Sequence, residues 1–188
     1  MLLDEEKVKK GVELIVEGMG ATTASGPFKG TPERIVNLLK EKFDQPLHEE
    51  LKTFPSNYVN NIKVYKHYTW TLCPHHLLPV LLTINVDYRP REGRVLGTSK
   101  VPRLIEKVIA TGPALQEDLT VMLTNTLGVY SEWCKVEVHG LHLCCLLRGV
   151  RSGAEMTTSA QRASNFFVKK DVAAPQCKKE EENDEPSQ

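Results

Sequence analysis

The sequence predicts an α+β domain built on an antiparallel sheet. Three observations carry the prediction. Helical periodicity occupies much of the first forty residues, a two-residue alternation runs from Leu78 to Tyr88, and a second helical stretch after Ser99 gives way to β-type sequence near residue 134.

Residues 5–19 place Val8, Val12, Leu14, Ile15 and Met19 on one broad helical face, and Gly18 and Gly20 end the pattern. Thr31-Pro32-Glu33-Arg34 reads as a helix start, with Thr31 as cap and Pro32 at the first position. Ile35, Val36, Leu38 and Leu39 carry that helix on. Residues 44–60 hold two prolines and no clean period, so they read as loop. Strand character begins near Ile62. Leu78, Val80, Leu82, Ile84, Val86 and Tyr88 then share one face. Arg89 to Gly93 is a turn. A helix follows Ser99, breaks at Gly112-Pro113, and resumes behind Pro113 to about Leu127. Residues 134–148 read as a strand or a pair of strands, and a short helix is expected after Ser159. From about Ala173 the acidic tail has little apolar surface to bury and is expected to be disordered. The expected boundaries are an N-terminal helical segment at 1–60, a catalytic domain at 61–172 and the tail at 173–188.

A chain of 188 residues holds one domain with a real core. Lys plus Arg and Asp plus Glu balance at 24 each, which argues against a protein that coats nucleic acid. No apolar run is long enough for a membrane span. The start, MLLDEEKVKK, has acids where a secretion signal has bases, so the cytoplasm is the expected compartment. The five cysteines, at 73, 134, 144, 145 and 177, are odd in number and two are adjacent. That pattern suits metal-bound or buried thiols better than a disulfide framework.

Four clusters carry candidate chemistry. In Cys73-Pro74-His75-His76, a cysteine and a histidine three apart can reach one metal ion from a tight turn. In His142-Leu143-Cys144-Cys145, read as strand, His142 and Cys144 share a face with Val136 and Val138. Cys145 then points the other way, into core packing. Two thiolates and one imidazole make three protein ligands, which leaves a position for water. His75 and His142 adjoin those ligands and suit proton transfer, whereas His48, His67 and His139 read as ordinary histidines. In the third cluster, Ser99 caps a helix whose first turn carries Lys100 and Arg103, a natural phosphate seat. The fourth is Gln116-Glu117, where a carboxylate can accept the N1–H and 2-amino group of a guanine. Arg148-Gly149 adds a cation near the second ligand pair. For the third and fourth clusters taken alone, a solvated helix start is the commoner explanation.

In this order and spacing, the clusters resemble the GTP cyclohydrolase I family, from Thr31 to Ser159. Cys73-Pro74-His75-His76 with Pro79 matches its Cys-x-His-His motif. Gly97 to Arg103 matches Gly-x-Ser-Lys-x-x-Arg, and Gln116 to Thr120 matches Gln-Glu-x-Leu-Thr. His142, Cys144, Arg148 and Gly149 match His-x-Cys with a following Arg-Gly. The resemblance implies a tunnelling fold (T-fold): a four-stranded antiparallel sheet with two long helices on one face, preceded by N-terminal helices. It implies Zn2+ held by Cys73, His76 and Cys144, with His75 and His142 as the acid/base pair. It further implies that Ser99 and Lys100 serve the ribose stage, that Glu117, with the backbone around Gln116, holds guanine, and that Arg103, Arg148 and Arg34 hold triphosphate. The implied reaction is hydrolysis of GTP at purine C8, with release of formate and formation of 7,8-dihydroneopterin triphosphate. The implied assembly is a homodecamer of two pentamers with sites between subunits.

Three departures from the family pattern weaken the phosphate grip: Pro74 for glutamate, Asn37 for lysine, and no arginine in the segment Ala110 to Leu115. Two other readings compete, a T-fold relative that makes a different product from GTP and a zinc-stapled interaction module without turnover. A zinc nucleobase deaminase needs a Cys-x-x-Cys that is absent here.

Overall fold

The computed structural model describes residues 3–44 and 51–163. Helix α1 (Glu5–Gly18) is capped by Asp4, whose carboxylate accepts the Lys7 amide at 3.1 Å. It packs against α2 (Thr31–Phe43), and a Lys40–Glu5 ion pair of 2.7 Å joins the two. The order continues β1 (Thr53–Pro55), β2 (Ile62–Leu72), β3 (Pro79–Pro90), β4 (Arg94–Leu96), α3 (Lys100–Ile109), α4 (Gln116–Leu127), β5 (Ser131–His142), α5 (Leu143–Leu146) and β6 (Met156–Ala163). Strands β2-β3-β5-β6 form one antiparallel sheet in that order, and β1 pairs with β4.

The alternation on β3 decides which face of the sheet is covered. Val80, Leu82, Ile84, Val86 and Tyr88 are buried, and Cys134, Val136 and Val138 of β5 extend the same face. Helix α3 meets it with Val101, Leu104, Ile105, Val108 and Ile109, a stripe at helical spacing. Helix α4 adds Leu119, Leu123 and Leu127. The result is the expected α+β architecture, a four-stranded antiparallel sheet with two helices on one face.

A polar network docks α2 on this core. Lys42 Nζ donates to Thr69 Oγ1 at 2.7 Å and Glu106 Oε2 at 2.8 Å, and His67 Nε2 lies 2.9 Å from Glu106 Oε1. Burial pushes the Glu106 carboxyl up, but hydrogen bonds from Lys42, His67 and Thr69 outweigh it and hold the carboxyl below its usual range.

Several expectations are corrected. On α1, Val16 is buried while Leu14, Ile15 and Met19 are exposed, because α2 covers a different face from the one their spacing suggested. Gly30, at φ 73°, occupies the α2 cap, and Thr31 is the first helical residue. Helix α4 starts at Gln116, so Pro113 lies in the preceding loop. The expected short helix after Ser159 is instead strand β6, whose residues pair along β5 from Gly140↔Met156 to Trp133↔Ala163. A tertiary ladder there overrides weak local preference, and Thr157, Thr158 and Ser159 fit a strand well. The 44–60 stretch contains β1. His48 and the acidic tail at 173–188 lie outside the described residues.

Candidate metal centre

Strand register brings the two ligand segments together. β2 ends at Leu72, paired with Pro79, so residues 73–78 form the connection of a hairpin. Cys73 N donates to Leu78 O at 2.9 Å, and Leu77 N to Cys73 O at 2.8 Å; Leu77, at φ 52°, closes the turn. On the next strand pair, Val80 lies opposite His142. The end of β5 therefore sits beside the start of β3, and the residues after His142 fall next to the hairpin turn.

Those residues form α5 rather than a continued strand. The outcome for Cys144 is as expected, since it is buried, but the reason differs. In a helical turn successive side chains are about 100° apart rather than 180°. Cys145, expected in the core, is instead exposed.

Ligand atoms of Cys73, His76 and Cys144 all lie within 4.8 Å of one another, and Cys73 Sγ stands 3.8 Å from His76 Nδ1. A tetrahedral zinc has bonds of about 2.3 Å to sulfur and 2.0 Å to nitrogen, which gives edges of roughly 3.5–3.8 Å. Two thiol sulfurs and one imidazole are also the donor set zinc prefers. The residues fit the metal, and among the described residues the group closes at three ligands. Burial, then the neighbouring sulfurs of Cys73 and Cys145, push the Cys144 thiol up to about 11. A cation between the sulfurs reverses that tendency.

A family model described as GTP cyclohydrolase I matches residues 8–177. The chain belongs to the GTP cyclohydrolase I family. A GTP cyclohydrolase 1 of Caldanaerobacter subterraneus subsp. tengcongensis is 35% identical over 169 residues, spanning 86% of this chain and 89% of that protein. One from Pelotomaculum thermopropionicum is 33% identical over 184 residues, spanning 92% and 93%. Among solved structures, the apo form of an archaeosine synthase QueF-like protein superposes with TM-score 0.44 at 17% identity, over 59% of this chain and 100% of that one.

The structure gathers some of the residues expected from GTP cyclohydrolase I motifs and leaves others apart. His75 Nδ1 lies 3.7 Å from Cys73 Sγ. Arg148 reaches His76, its Nη1 contacting the imidazole Nε2. His142, half-buried at the end of β5, stands 3.0 Å from Gln116 Oε1 through its Nε2. Glu117, next along α4, is exposed at this same end of the sheet. The Gln116 side chain is buried and hydrogen-bonded to β5 and β6.

Ser99, Lys100 and Arg103 sit elsewhere. They follow β4, whose Leu96 carbonyl accepts the Tyr88 hydroxyl at 3.4 Å. Tyr88 is eight residues along β3 from Val80, roughly 27 Å of strand. Ser99 occupies the cap position of α3 without a side-chain cap bond. Arg34 folds back on its own helix start, donating to Lys29 O at 3.0 Å and Thr31 Oγ1 at 2.8 Å.

One participant escaped the sequence reading. Gly140 lies inside β5, and a Cβ there would overlap Gln116 Oε1 and come within 2.9 Å of its Cδ. A glycine within a strand is the available signal of such a close approach.

Proposed function

We propose that this chain hydrolyses GTP at purine C8, releasing formate and forming 7,8-dihydroneopterin triphosphate, with zinc on Cys73, His76 and Cys144. The observation that carries the reading is the three-ligand group with two further histidines, His75 and His142, at the same end of the sheet. Bound there, zinc supplies the Lewis acidity that makes water nucleophilic near neutral pH. His142 protonates purine N7 and His75 moves a second proton at the hairpin turn, so that one water added at C8 breaks the C8–N9 bond to leave a formamide on N7, and a second water breaks the C8–N7 bond to free C8 as formate. Glu117 accepts the N1–H and 2-amino group of guanine, a pairing of one carboxylate with two parallel donors. Arg148 stands beside the metal group and meets the phosphates.

Ser99, Lys100 and Arg103 bind ribose and triphosphate from a second copy of the chain. This reading rests on their place at the other end of the sheet, where they cannot close over the metal of their own subunit. A site shared in this way makes the working form a homo-oligomer; the family resemblance, rather than this geometry, gives the decamer of two pentamers, and the cytoplasm is the compartment proposed for it. Arg34 uses one N–H of each terminal nitrogen on its own helix start, which leaves donors for the triphosphate.

The test is zinc-loaded protein with GTP. One formate per GTP, with loss of guanine absorbance and gain of pterin fluorescence, supports the reading. Bound zinc without turnover favours an interaction module, and a different product favours another activity of the same fold. A His142→Ala enzyme at near wild-type rate would remove His142 from the mechanism.

A further inference from the structure

Gln116 is 4% exposed, and both ends of its amide are engaged. Nε2 donates to the backbone carbonyls of Val138 at 3.0 Å and Met156 at 2.9 Å, with Thr158 Oγ1 at 3.3 Å. Two carbonyl oxygens accept only, so the nitrogen of the amide must face them and Oε1 must face the other way. The hydroxyls agree with this orientation. Thr120 Oγ1 donates to Gln116 O at 2.8 Å and lies 2.6 Å from Thr158 Oγ1. Thr158 therefore donates to Thr120, and its own oxygen is left to accept from Gln116. The loop of donors runs in one direction only.

Oε1, aimed away from the carbonyls, meets His142 Nε2 at 3.0 Å. A carbonyl oxygen brings no proton to that contact, so the imidazole must. We propose that Gln116 is a positioning residue that keeps a proton on His142 Nε2 and leaves Nδ1 as the nitrogen that exchanges a proton with the purine. Gly140 supplies the space, since any side chain at that position displaces the amide. The arrangement is that of a neutral orienting group behind a catalytic histidine, as an asparagine serves in some cysteine proteases.

The inference rests on the proposed role of His142 but is measured separately from it. In zinc-loaded wild-type protein labelled with 15N-histidine, long-range proton–nitrogen spectra read the tautomer of each ring. The His142 signal, identified by its loss in His142→Ala, is expected to show the proton on Nε2. A proton on Nδ1 alone overturns the proposal, whether or not GTP is consumed. Kinetics supply the second reading. Gln116→Met removes the acceptor at similar volume and should lower kcat by about 10- to 100-fold, with KM for GTP within about twofold and zinc content unchanged. A raised KM with kcat preserved returns Gln116 to substrate binding and overturns the positioning role. Should that variant fail to fold, the wild-type spectrum still decides. Absence of GTP turnover in the wild type would defeat the proposed function and leave the tautomer result standing.

Discussion

If each site takes its metal end from one subunit and its phosphate end from another, two inactive variants should repair each other. Val80, at the metal end of β3, and Tyr88, beside the start of the Ser99–Arg103 segment, pair with His142 and Cys134 at opposite ends of β5. The intervening strand is roughly 27 Å long. His142→Ala should disable the metal end without changing any of Cys73, His76 and Cys144, and Arg103→Ala should disable the phosphate end at an exposed position, where truncation leaves the core intact. Each alone should be nearly inactive. Dissociated, mixed in equal amounts and reassembled, they generate sites that draw each half at random. One half times one half leaves about a quarter of the sites intact at both ends. The assay is initial rate of pterin formation on mixed oligomers isolated through one tag on each variant. Recovery near a quarter of the wild-type rate per site supports the shared site. Mixed oligomers with only the summed residual rates of the two variants would refute it, since a site within one chain cannot be complemented.

Three further outcomes are expected. The Cys144 thiol of the metal-free protein holds its proton at neutral pH, so zinc must displace it, and apparent zinc affinity should rise by up to about tenfold per pH unit for each proton released; calorimetry in two buffers of different ionisation enthalpy checks this, and zinc binding without proton release would contradict it. Because the Glu106 carboxyl is held low, its contribution to stability is full above its unfolded value and is lost as pH falls through the folded value. Glu106→Gln should flatten the acid limb of stability against pH by about 1 kcal/mol in urea titrations, a modest figure because the side chain is 41% exposed. Ile84 is 0% exposed at the centre of the helix-covered face, so Ile84→Ala should lower unfolding free energy by about 2–5 kcal/mol in the same titrations.

The parts of the fold legible in the sequence are those with strong, self-contained periodicity. Leu78 to Tyr88 alternates along its whole length, and Leu104, Ile105, Val108 and Ile109 mark the buried stripe of a helix, so local pattern and final burial agree. Met156 to Ala163 has no such pattern. It is a strand because β5 offers an edge, and an edge belongs to the fold rather than to the segment. Leu14, Ile15 and Met19 illustrate the same limit on α1, where the partner helix chose Val16.

At the candidate site, residue chemistry determined the donor set: two sulfurs and an imidazole, with histidines beside them, are present in the sequence whatever the chain does in space. Side-chain chemistry and short spacing are properties of the string and need no partner. Tertiary structure alone decided that Cys145 turns outward, that Gln116 buries its amide behind His142, and that Lys100 and Arg103 stand at the far end of the sheet from the sulfurs. Each of these depends on which strand lies next to which and in what register, and register is set by packing between segments dozens of residues apart.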